Sequence, residues 1–290
     1  MGSIRENYSD IARKMVENSR QPHRVDETAI YQESNRENRK LIDGILEELL
    51  IEGSALYHFE HLQQLYEYAT QGYSGLILME HYSNFDVPCL YYFLERQGES
   101  GRTIAESVVS VAAMKLNEES RFVLAFTESY SRIVIYPQRS LDKLEDPEEE
   151  RRARAFNHRA VREMVRCKNE GKLILMFPTG TRYRPNEPDT KRVLSSVDSY
   201  MKSFDYVVFV GIAGNALLVN PSGEMSEDFP NRDVVTFSVS PPLDSRAFRT
   251  RCRAEAPPGS DPKRAVADSV QAEFARMHLE AEDYRARDLS

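Results

Sequence analysis

Apolar residues recur along this chain with two different periods, and the change between them falls near Gly75. Before it, Leu41, Ile42, Ile45, Leu46, Leu49 and Leu50 are spaced by threes and fours, and after the Gly53-Ser54 break Phe59, Leu62, Leu65 and Tyr66 repeat the pattern. That spacing gathers apolar side chains on one face of a helix. Residues 1–73 therefore read as a helical N-terminal region, helical throughout, whose amphipathic helices need a surface to cover. From Gly75 onward the texture is of short apolar runs: LILM (76–79), SVVSV (107–111), RIVIY (132–136), KLILMF (172–177), YVVFV (206–210) and DVVTFSV (233–239). The segments between them, notably 88–97, 116–128 and 147–170, are long enough for crossover helices. The expected fold class is α/β over residues 74–290, a mainly parallel mixed sheet flanked by helices on both faces.

Details at the boundaries fit that frame. Asp261-Pro262 offers an N-cap and a first helical residue for a closing helix that runs to Arg287. The acid run Glu145-Asp146-Pro147-Glu148-Glu149-Glu150, followed by Arg151-Arg152-Ala153-Arg154, suits the start of a solvated helix, acids first and bases one turn later. The longest apolar stretch, residues 206–219, is broken by Gly211, Gly214 and Asn215 and is shorter than the roughly 20 residues of a spanning helix. It reads as a buried strand and the turn after it.

Composition narrows the class of partner. The 290 residues are 41% hydrophobic, enough for one large core or two modest ones, and the net charge of −8 leaves no global basic field for nucleic acid. Cys89, Cys167 and Cys252 are far apart and lack a C-x-x-C spacing, which argues against disulfides and zinc. The start MGSIRENYSD has no signal-peptide pattern, and Glu6 stands where a myristoylation signal wants Ser or Thr. A cytoplasmic protein is expected, meeting a membrane, if at all, peripherally at its surface.

Candidate chemistry gathers where apolar runs end. LILM leads into Glu80-His81-Tyr82-Ser83-Asn84-Phe85-Asp86, a strand-to-helix turn of the kind that carries ligands in open α/β sheets. A turn between His81 and Asp86 can set the carboxylate on one imidazole nitrogen and leave the other as a general base. If the hydroxyl to be activated belongs to the substrate, no covalent nucleophile is needed. Chance supplies an H-x4-D spacing often, and a second constellation gives it weight. KLILMF leads into Pro178-Thr179-Gly180-Thr181-Arg182-Tyr183-Arg184-Pro185, where a Pro-x-Gly turn precedes two arginines suited to bind a phosphate. Lys115, after VAAM, and Arg139, after RIVIYP, each follow a strand and add positive charge at the same kind of edge.

The ordered set EHYSNFD, VAAMKL, RIVIYPQR, FPTGTRYRP and VVFVGIAGNALL resembles the glycerolipid acyltransferase family over roughly residues 75–219. The family's N-H-x-S-x-x-D motif is matched at His81, Ser83 and Asp86, with Glu80 in place of the leading Asn. Its F-P-E-G-T-R motif is matched at Phe177, Pro178, Gly180, Thr181 and Arg182, with Thr179 in place of Glu. The resemblance implies that His81, oriented by Asp86, deprotonates an acceptor hydroxyl that attacks the thioester of acyl-CoA or acyl-carrier protein. It implies that Arg182, Arg184 and Lys115 hold the acceptor phosphate, that Arg139, Thr179, Gly180 and Thr181 complete the substrate site, and that neither metal nor organic cofactor is required. Thr179 and the paired arginines resemble the P-S-G-G-R-D-R-P loop of the soluble glycerol-3-phosphate enzymes, which points to glycerol 3-phosphate as acceptor in phospholipid biosynthesis, with lysophosphatidate as the alternative. A non-catalytic lipid or acyl-carrier binding protein and an acyl hydrolase are the readings from other classes.

Overall fold

A computed structural model of the chain describes residues 2–20, 29–142, 144–221 and 224–288. In chain order its strands are β1 (Tyr31–Gln32), β2 (Ala55–Tyr57), β3 (Gly75–Met79), β4 (Val108–Ala113), β5 (Arg132–Ile135), β6 (Leu173–Met176), β7 (Tyr206–Ala213), β8 (Leu217–Leu218), β9 (Phe229–Pro230), β10 (Thr236–Val239) and β11 (Leu243–Asp244). All six apolar runs coincide with strands, namely β3, β4, β5, β6, β7 and β10. Among the described residues nine strands make one sheet, ordered β1-β5-β4-β6-β3-β7-β10-β2, with β11 added on β7. The central five, β5-β4-β6-β3-β7, are parallel. Every residue of β3 and β6 is buried, as expected of strands covered on both faces. Among the described residues the connection from β7 to β10 holds no α-helix, and the chain returns antiparallel to β7.

Alternation along the strands divides the core into two layers. Ile77, Met79, Val208 and Val210 face a layer that includes Leu90 and Leu94 of helix Asp86–Glu95 and Ile42, Ile45 and Leu46 of helix Arg36–Leu49. Leu76, Leu78, Val207 and Phe209 face Phe156 and Met164 of helix Pro147–Asn169 and Val266, Val270 and Phe274 of helix Pro262–Asp288. Helix Pro147–Asn169 is capped by Asp146, has Pro147 in its first turn and pairs Glu148 with Arg151 and Glu150 with Arg154 on its exposed side, the solvated helix expected of the acid run. No helix of the described residues is long and apolar enough to cross a membrane.

The N-terminal region carries helices Ser9–Asn18, Arg36–Leu49 and Phe59–Thr70, but it is not helical throughout. It also supplies β1, antiparallel to β5, and β2, parallel to β10. Strands of two or three residues are too short to register as a period; their partners far along the chain create them.

Candidate active site

The parallel strands bring the ends of β3, β4 and β6 to one edge, where the loops suspected of chemistry meet. His81 lies just beyond β3, and Asp86 is the first residue of the helix that follows. The imidazole Nδ1 is 2.9 Å from Asp86 Oδ2, which also accepts from the backbone N–H groups of Tyr82 at 2.8 Å and Ser83 at 2.9 Å. A carboxylate oxygen only accepts, so Nδ1 carries the proton and Nε2 keeps its lone pair. The His81 ring stacks on Phe177 from the end of β6, with centroids 3.8 Å apart. Burial pushes the imidazole below its ordinary pKa, the Asp86 hydrogen bond and charge draw it back up, and Arg182 and Arg184 lower it again. A His held neutral in this way is ready to accept a proton at neutral pH.

The arginine loop is anchored to the same turn. Tyr183 N–H donates to the His81 carbonyl at 2.7 Å, Gly180 turns the chain at φ 68°, and Thr179 Oγ1 donates to the Thr181 carbonyl at 2.8 Å. A cleft of about 560 Å³ opens between these loops, lined by His81, Lys115, Gly180, Thr181, Arg182 and Arg184 among others. A family model described as Acyltransferase matches residues 60–213 of the chain, a span that contains both loops. The chain belongs to the glycerolipid acyltransferase family. No curated protein matches it.

In this acyltransferase the residues singled out by motif and position do not all stand alike. Arg184 is partly buried, with Nη1 3.3 Å from Thr181 Oγ1, and Lys115 is exposed at the end of β4. Arg182 lines the cleft, but its Nη1 pairs with Asp228, a carboxylate with no exposed surface. Asp228 further accepts from Asn84 Nδ2 at 3.0 Å and the Asn220 N–H at 2.9 Å. Burial pushes the Asp228 carboxyl up, and these partners, Arg182 first, oppose that. Thr179 faces a smaller cavity behind His81 rather than the main cleft. The Arg139 side chain lies outside the described residues.

Sequence reasoning missed Asp228, Asn84 and the Phe177 stack. Asn84 and Phe177 lie inside the motifs and could have been found there. Asp228 follows Ser226 and Glu227 in a polar stretch and offers no local signal. Glu80, at the position of the family's leading Asn, accepts from Tyr82 Oη at 2.9 Å and the Ile212 N–H at 3.0 Å, tying the turn to β7 and, through His278, to the last helix. Away from the cleft, His58, Glu60 and His61 bring possible metal-ligating atoms within 4.8 Å of one another. His58 Nε2 is already 3.0 Å from Tyr284 Oη, and His61 Nδ1 is 2.8 Å from the Val239 carbonyl.

Proposed function

We propose that this acyltransferase moves a fatty acyl group from a thioester donor, acyl-CoA or acyl-carrier protein, to a hydroxyl of glycerol 3-phosphate in phospholipid biosynthesis, as a cytoplasmic protein with peripheral access to membrane lipid. The observation that carries this reading is the His81–Asp86 pair, with Nε2 unprotonated in a cleft whose mouth also carries Arg184 and Lys115. The acceptor hydroxyl gives its proton to His81 Nε2 while its oxygen bonds to the thioester carbonyl carbon. The tetrahedral intermediate then expels the thiolate, which takes the proton back from His81. Direct transfer is favoured over an acyl-enzyme, because the three cysteines are buried and none lines the cleft, and the Ser83 hydroxyl is held by the Phe85 N–H at 2.9 Å. The acceptor phosphate suits Arg184 and Lys115, with Arg182 offering donors beyond the one committed to Asp228.

The test is thiol release from acyl-CoA with glycerol 3-phosphate and with lysophosphatidate in parallel, for wild type and His81→Ala. The variant should lose about 10²–10⁴-fold in transfer, the range typical of a general base. Near-normal turnover sinks the mechanism, and a preference for lysophosphatidate moves the acceptor assignment. Thioester cleavage indifferent to acceptor marks a hydrolase, and donor binding without transfer marks a binding protein.

A further inference from the structure

The cleft does not end at the phosphate loop. It extends across β6 and β4 to the start of β5, where Arg132 forms part of its lining. Arg132 is among the largest fully buried side chains of the molecule, 1% exposed, and only its Nε has a partner, Gln32 Oε1 at 2.7 Å. Its Nη1 and Nη2 have no hydrogen-bond partner among the described residues. Two buried hydroxyls on residues that line the same cleft are equally orphaned: Ser110 Oγ, on the residue paired with Arg132 across β4 and β5, and Tyr130 Oη. Glu128, whose charge acts on Arg132, is held by Ser19 Oγ at 2.9 Å and Asn35 Nδ2 at 2.7 Å and makes no hydrogen bond to the guanidinium.

Buried polar atoms in native proteins are nearly always paired, and a buried charge left alone is costly, so four orphaned atoms on three residues that line one cleft mark the place of a missing partner. All four are donors or can donate, and the cationic one is a fork, so the partner is an acceptor with at least two oxygens. Burial alone holds the guanidinium down to about 9, with the Glu128 charge opposing, a depression that an anion in contact would reverse.

Position says which part of a substrate arrives there. Arg132 is in register with Ser110, Ser110 with Leu175, and Leu175 with Ile77, four residues short of His81. Three strand spacings and four residues of rise put Arg132 about 20 Å from His81, Cα to Cα. In glycerol 3-phosphate no more than about three carbons separate the phosphate from either hydroxyl, so one bound at His81 cannot reach so far. An extended acyl chain leaving the thioester carbonyl can, and Val87, Pro88 and Phe126 give the cleft apolar walls for it. We infer that the floor of this cleft is a subsite for a polar, anionic end on the acyl chain, a terminal carboxylate received by Arg132, Ser110 and Tyr130. Donor choice in this protein then favours acyl groups with a carboxylate at the far end over plain hydrocarbon chains of the same length. The inference rests on the proposed use of His81 as the site of transfer.

The experiment measures binding rather than turnover, by calorimetry on the full chain, with the CoA monothioester of a long-chain α,ω-dicarboxylic acid against the plain acyl-CoA of equal length. Wild type should bind the dicarboxylyl donor about 10–100-fold more tightly, the worth of a charge-assisted pair. Arg132→Met should reverse the preference and Arg132→Lys restore part of it. If Arg132→Met does not fold, the double change Ser110→Ala with Tyr130→Phe should still reduce the preference. Equal binding of the two donors by wild type overturns the subsite, as does a loss in Arg132→Met confined to glycerol 3-phosphate. A persistent preference with no acyl transfer to any acceptor sinks the proposed function and leaves the subsite standing. Transfer without preference does the reverse.

Discussion

Arg182 shows how a side chain read as a substrate ligand is also bound into the fold. With 8% exposure against a fully buried Asp228, the pair has left water almost completely, and its partners Asn84 and Asn220 complete the shell. Removing one member strands the other charge, which typically costs about 3–5 kcal/mol, whereas replacing both with apolar groups of similar volume is often neutral. Arg182→Ala should therefore lower unfolding stability in urea by that amount, and Arg182→Met with Asp228→Leu should recover most of it. A variant that only raised the acceptor KM, with unchanged stability, would show that Arg182 acts on substrate alone. The His81–Asp86 pair was legible in the sequence because five residues of turn contain the whole interaction. Asp228 was not, because it lies 46 residues from Arg182 and belongs to no motif.

At the level of elements, the long closing helix illustrates a contact that a pattern of apolar residues announces without locating. Asp261-Pro262 marks its start in the sequence, but its seat on β7 is decided by Gly211. A Cβ built there meets the Met277 backbone carbon at 2.4 Å and the His278 nitrogen at 2.5 Å. Backbone cannot yield as a flexible side chain does, so Gly211→Ala should push the helix off the sheet at a cost of about 1–3 kcal/mol, the range for overpacking, seen as a lower thermal midpoint. Because His278 contacts both Glu80 and the Ile212 carbonyl, the same change should disturb the turn carrying His81 and lower transfer. Full stability in this variant would mean that the helix packs less closely than the structure shows. The edge strands β1 and β2 are the opposite case: no local pattern specifies them, and they exist through pairing with β5 and β10.

For the whole molecule, the decisive fact is that the N-terminal helices share a hydrophobic layer with the sheet. Ile42, Ile45 and Leu46 are buried against the cluster containing Ile77, Met79 and Val210, β2 continues the sheet beside β10, and Ile4 N–H donates to the Asp228 carbonyl at 2.8 Å. Exposing large aliphatic side chains costs about 1.5–3 kcal/mol each, so uncovering several consumes the whole 5–15 kcal/mol by which domains are ordinarily stable. A chain beginning at residue 74 should fail to unfold cooperatively when followed by circular dichroism, and a sharp transition in that fragment would show that 74–290 stands alone. By itself the sequence determined the class of fold, the central parallel strands, and the two loops that carry His81, Asp86 and the paired arginines, because burial of strands and motif turns are matters of a few adjacent residues. Only the tertiary structure decided the order of the strands, the acid that holds Arg182, and the Arg132 at the far end of the cleft whose Nη1 and Nη2 lack a hydrogen-bond partner among the described residues. Those depend on which distant segments meet, and a guanidinium at the head of an apolar strand carries no mark, along the chain, of whether anything faces it.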